Sequence, residues 1–203
     1  MSSARAWLVN LLALAAAILI VTSFFVPVWS LSARAVQYEQ EFPEGLKVYV
    51  SLTRVRGDLN EFEIMNKWIG AHFPKTVPEH SIFPVAFGAL ALLCLASIFT
   101  TTWKARTLRL ALVLLLASGI AGAASLQWRL YTFGHEREAN APIAVPDFTV
   151  PLVGPVKLYN WRISTGFSAG TYTMLLAAVL VGLACVVTPG TPGTPRHRQG
   201  RGP

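Results

Sequence analysis

Four apolar runs leave this chain few folds to choose from. Residues 7–29, 82–103, 108–128 and 166–188 pass almost without charge. Each is long enough to cross a hydrocarbon core, which takes about 20 mostly apolar residues at a rise of about 1.5 Å each. The chain is 53% hydrophobic and only 13% charged, whereas roughly a quarter of the residues in a soluble domain are charged. The fold class predicted is an all-α integral membrane protein with four transmembrane helices. Its two long polar segments, 30–81 and 129–165, would form a small mixed α+β cap. Residues 1–29 hold the N-terminus and the first span, 104–107 are a tight turn, and 189–203 are a Gly/Pro/Arg tail expected to be disordered.

The net charge of +7 is a topology signal. Arg5, Lys104, Arg106, Arg109, Arg196, Arg198 and Arg201 cluster at the two termini and the 2–3 connection, with no acid among them. The two long segments hold the other ten Lys and Arg and all ten acids, and so are neutral in sum. Basic residues beside short segments mark the cytoplasmic side. Both termini and the 104–107 turn are therefore expected in the cytoplasm of a bacterial inner membrane, with both long segments on the outer side. This distribution argues against a nucleic-acid partner, which would need the charge gathered on one face. Arg5 followed by an apolar run also resembles a secretory signal, but a signal core is about 7–15 residues; a retained anchor is expected. Cys94 and Cys185 fall inside spans and leave the outer segments without a disulfide framework.

Within 30–81, residues 46–55 alternate, with Leu46, Val48, Val50 and Leu52 on one side, as a half-buried strand does. Residues 57–74 follow as a short amphipathic helix. Asp58 or Asn60 can cap it, Leu59, Phe62, Met65 and Ile69 share a face, Trp68 extends that face, and Gly70 stops it. Residues 157–163 alternate again and are expected to pair with 46–55. Pro142, Pro146, Pro151 and Pro155 impose an extended path before them. In the third span Ser118 and Gly122 stand in a small-xxx-small relation, which suits close helix packing in lipid.

Few residues point to chemistry. Apart from Arg109 at the edge of the third, the spans lack the acids, histidines and arginines of ion pathways. No phosphate-binding loop, nucleophile elbow, HExxH or CxxCH pattern occurs, and no enzyme activity is expected. His72, His80 and His135 lie on the outer side, with Met65, Glu61, Glu63 and Glu136 close in sequence; imidazole and thioether donors suit copper. His72 and His80 do not have the i, i+4 spacing of two ligands on one helix face. Glu39, Glu41 and Glu44 form an acidic cluster expected to be solvated.

The stretches PEGL (43–46), GDLNEFEIMNKWIG (57–70), GHEREANAPIAVPDFTVPLVG (134–154) and Tyr159-Asn160-Trp161 resemble a group of four-helix bacterial membrane proteins. These are often encoded beside genes for nitrous-oxide reductase maturation and copper handling. There the two longer motifs read approximately GDLDEINxLNHYIGM and GHxLDPxAPIxVPxFTPPLxG. The resemblance implies a membrane accessory protein near copper chemistry. Where that group has His and Met in the first motif, this chain has Lys67 and Ala71, and an ammonium cannot bind a metal. Only His135 falls on the second motif, with His72 as a nearby substitute.

The reading that results is an integral membrane accessory or assembly protein. Its outer cap would dock a membrane or periplasmic protein partner through Phe62, Met65, Trp68, Ile69, Asn160 and Trp161, and copper, if held, would sit at His135 and His72. A small structural subunit of a larger complex is the alternative, and an enzyme acting on a lipid-phase substrate a third.

Overall fold

A computed structural model describes residues 3–71 and 78–188. The apolar runs form α1 (Ser3–Thr22), α3 (Glu79–Phe99), α4 (Lys104–His135) and α5 (Ala169–Val187), with a shorter helix, α2 (Leu59–Ile69), between the first two of them. These four long helices are long and apolar enough to cross a membrane. α1 and α4 each pack against both α3 and α5, so the bundle closes as a ring. Lipid offers no hydrophobic drive for helices to associate, so the tightest seams use small residues that bring backbones together. Here that seam is α1 on α5: Val9, Ala13, Ala16, Ala17 and Ile20 face Ala177, Val181 and Ala184, all of them buried. The small-residue run of the third span is not the seam. Gly119 opens onto empty space, Ile120 is 72% exposed, and Gly122 meets only the Phe83 ring.

The helix bounds differ from the apolar runs for a physical reason. α1 stops at Thr22, and Trp29, expected to end the first span, instead opens a strand. α4 continues past the expected end of the third span to His135, carrying the helix into the cap. α5 starts at Ala169, because residues through Phe167 belong to the sheet.

That sheet has five antiparallel strands: β1 (Trp29–Arg34), β2 (Leu46–Val50), β3 (Val55–Gly57), β4 (Gly154–Leu158) and β5 (Trp161–Phe167), in the order β3-β2-β1-β5-β4. Both polar segments thus build one cap. The pairing expected between 46–55 and 157–163 does not form. Residues 157–163 break at Tyr159 and Asn160, with Tyr159 in the left-handed region (φ 54°), into the β4–β5 hairpin. β1 then stands between β2 and β5, pairing with both. Trp29-Ser30-Leu31-Ser32-Ala33-Arg34 has the period-two pattern of a strand, but it abuts the apolar run and is absorbed by it on a hydropathy reading.

One face of the sheet is apolar. Trp29, Leu31, Ala33, Leu46 and Val48 pack there with Phe62 of α2, Leu130 of α4 and Val150. Trp29 is almost wholly buried, and its indole N–H donates to the Leu152 carbonyl at 2.7 Å. The Pro-rich segment is extended, as its prolines demand, and lies hard against α4. A Cβ at Gly134 would sit 1.8 Å from the Phe148 carbonyl oxygen, so only glycine allows that approach. The Arg137 guanidinium pins the same segment through the Val145 carbonyl (2.6 Å) and Asp147 (2.7 Å).

Cap and bundle are joined with little slack. The backbone N–H groups of Ser168 and Gly170 donate to the carbonyls of Val28 (3.0 Å) and Pro27 (2.8 Å), and the Thr171 hydroxyl also reaches Val28 (2.6 Å). At the same end, Arg129 of α4 grips Glu79 of α3 through both carboxylate oxygens (2.7 and 2.9 Å), and the Ser125 hydroxyl adds a bond at 2.5 Å.

Candidate functional site

The residues expected to hold copper are placed as follows. His72 lies outside the described residues. His135 ends α4, its ring stacked on Tyr131 with centroids 3.9 Å apart and planes at 17°. Its Nδ1 is 2.9 Å from the Tyr131 carbonyl; a carbonyl only accepts, so Nδ1–H is the donor of that bond. Met65 turns inward to the cap core rather than toward an imidazole. Among the described residues no group of three or more His, Cys, Asp or Glu lies close enough to share a metal ion.

α2 forms where its sequence pattern places it, but its faces divide differently. Phe62 is buried, Leu59 and Met65 pack behind it onto the sheet, and Ile69 is half-buried. Trp68 does not extend that face: it is 55% exposed, beside an exposed Ile64. Gly70 ends the helix in the left-handed conformation, as expected. Asp58 sits at the N-cap position but its carboxylate does not cap. It accepts instead from the Lys47 backbone N–H (2.8 Å), clamping the helix entry to β2. The far end is held by the Pro-rich segment, where the N–H groups of Glu138 and Ile143 donate to the Gly70 and Trp68 carbonyls, both at 2.9 Å. Asn66 is buried beneath, its side-chain nitrogen without a partner among the described residues.

Of the two remaining interaction residues, Trp161 packs into the cap core with its ring 5.2 Å from that of Tyr38. Asn160 stays exposed at the hairpin tip and donates to the Gln37 side chain. Phe62, Met65 and Trp161 therefore hold the cap together, whereas Trp68 and Asn160 are on its surface.

The face of the sheet opposite the apolar core was not visible from the sequence. Directly opposed residues of neighbouring strands share a face, so the register assigns it. Arg34 opposes Arg162 and Arg162 opposes Lys157, a row of three cations across β1, β5 and β4. Two residues along, Lys47, Ser32, Ser164 and Pro155 form the next row, and Arg56, Tyr49, Ser30 and Gly166 the one after that. No acid occupies any strand position on this face. A concavity of about 730 Å³ opens beside it, lined by Ser32, Arg34, Pro155, Lys157, Arg162 and Ser164 of this face together with Val156 and Ile163 of the alternate positions. Lys47 is engaged by Glu44. Their hydrogen bond holds the Glu44 carboxyl below the ordinary carboxylate range and pushes the Lys47 ammonium up, so both stay charged at neutral pH. The Nε–H of Arg34 donates to the Glu44 carbonyl at 3.2 Å. Gly45 makes room for that arm: it lies at φ 77°, and a Cβ there would fall 2.5 Å from Arg34 Cγ. Among the described residues, Arg162 and Lys157 make no ion pair.

No protein-family model matches this chain, and no curated protein matches it either.

Proposed function

We propose that this chain is a membrane-anchored accessory or assembly protein whose cap is a docking platform for a partner protein on the outer side of a bacterial cytoplasmic membrane. The observation that carries this reading is the join between cap and bundle. β1 follows α1 after a short turn, β5 runs into α5 with only Ser168 between them, and α4 passes unbroken from the bundle into the cap core. Such a join holds a surface at a fixed height and orientation above the bilayer, which serves recognition. The basic termini and 104–107 turn support the assigned orientation. The cap's exposed Trp68, beside Ile64 on a helix clamped at both ends, supports a protein contact: rigid, part-exposed aromatic side chains are the commonest anchors of interfaces.

Solubilisation in mild detergent followed by identification of bound chains tests the proposal. One defined partner should co-purify with the intact chain and be lost from Trp68→Ala, which leaves the cap core in place. A chain that purifies alone as a stable monomer would contradict it. Copper handling, which the resemblance implies through gene neighbourhood, reduces here to His135 among the described residues. Metal analysis of the purified protein should then show copper that His135→Ala removes; copper-free protein would end that part of the proposal.

A second reading, a structural subunit held by its spans, is favoured by α4. Its apolar window is 11% buried within the chain, against 28% for each of the other three helices, which leaves it the most open to a neighbouring span.

A further inference from the structure

We propose that the cation row Arg34–Arg162–Lys157 and the serines beside it form the seat for an acidic, carboxylate-rich segment of the partner protein. This rests on the docking role proposed above and names the chemistry of the contact.

Three observations carry it. First, like charges directly opposite on neighbouring strands destabilise a sheet, yet three cations face one another across three consecutive strands with no acid at any strand position. Glu44 beside them pairs with Lys47 and offsets Arg34 in part, while Arg162 and Lys157 make no ion pair among the described residues. The arrangement costs stability that an anionic ligand would restore. Second, the site is shaped. Gly45 gives the Arg34 stem a bed and the Glu44 carbonyl holds its Nε–H, so the remaining guanidinium donors are oriented before anything binds. Ser32 and Ser164 place hydroxyl donors one row away, and all five residues border the same concavity. Guanidinium forks and hydroxyls together match carboxylate oxygens. Third, the row is at the far end of the strands. β5 reaches α5 at Phe167, and Arg162 lies five residues back, roughly 17 Å along a strand at about 3.3 Å per residue. That distance separates the row from the headgroups at the bundle end and favours a protein segment over a lipid. Carboxylates on alternate residues of an extended segment repeat at about 7 Å, close to the spacing between the cation and serine rows.

The test uses the full chain in nanodiscs of phosphatidylcholine and a fluorescent oligo-glutamate peptide as probe. Wild-type protein should bind the peptide and lose it as salt rises from about 50 to 300 mM, since screening removes exposed charge attraction. The double variant R162Q/K157Q should bind at least about tenfold more weakly. Lys67→Gln, the same charge change on α2, should bind as wild type does. Thermal unfolding supplies the check on folding: R162Q/K157Q should melt no lower than wild type, because it relieves opposed like charges. Peptide binding unchanged in R162Q/K157Q would overturn the proposal, as would no peptide binding by wild type. Binding that depends on Arg162 and Lys157 but is seen only with phosphatidylglycerol vesicles would overturn it in favour of a lipid headgroup. If a partner co-purifies and survives R162Q/K157Q while Trp68→Ala removes it, the docking role stands and this seat for it falls.

Discussion

Two residues show how little room the cap leaves for substitution. Phe62 is the anchor of α2 in the cap core, packed with Trp29, Leu46 and Val48 and without a polar partner. Phe62→Asp would bury a carboxylate there and should cost about 3 kcal/mol or more, while Phe62→Leu should cost about 1–2 kcal/mol. Denaturant unfolding followed by tryptophan fluorescence measures both. Gly134 is the second. Its missing Cβ is what lets Phe148 cross α4, so Gly134→Ala must push the Pro-rich segment away. We expect a loss of about 1–3 kcal/mol and faster amide exchange across 145–152. Unchanged exchange there would mean that the segment is not seated on α4. In contrast, Trp68→Ala removes a side chain that is mostly exposed and should leave unfolding within about 0.5 kcal/mol of wild type.

At the scale of elements, the α3–α4 junction depends on one polar cluster. Arg129 and Glu79 are joined by two-pronged contact at the cap end of the bundle, with side chains 34% and 22% exposed. Solvent screening reduces the value of such a pair, and we expect a coupling of about 1 kcal/mol from a double-mutant cycle of Glu79→Gln and Arg129→Gln. A coupling near zero would show that the helices are held by packing alone. The elements also differ in how far the sequence announces them. α2 was legible because Leu59, Phe62 and Met65 recur at helical spacing and Gly70 stops them. β1 was not, because Trp29 and Val28 extend the apolar run of α1 and a hydropathy reading merges them. The β4–β5 hairpin was read as one strand, since its turn is Tyr159-Asn160 rather than a glycine pair. Its reversal rests on Tyr159 adopting a left-handed conformation that side chains seldom take.

For the whole molecule, charge distribution and connectivity make a joint prediction. The proposed orientation puts the basic ends and turn in the cytoplasm and the sheet on the other side. A reporter active only in the cytoplasm should therefore work when fused after Pro203 and fail when inserted at the 159–160 hairpin tip; the reverse pattern would invert the assigned orientation. Four spans and a cap drawn from both polar segments follow from hydropathy and loop length, which any single sequence displays. The cation row does not. Arg34, Lys157 and Arg162 are scattered through the chain, and only strand register brings them side by side. Trp68 was expected to extend the apolar face of α2 but stands mostly exposed, because a helical wheel locates a stripe more easily than its edge.

The central claim is that the cap presents a protein-docking surface, and site-specific photo-crosslinking in native membranes tests it most directly. A photoreactive residue at position 68 or 162 should join this chain to one defined protein, while the same residue at position 62, inside the core, should not. No protein adduct from either exposed position, or adducts equally abundant from position 62, would contradict the account.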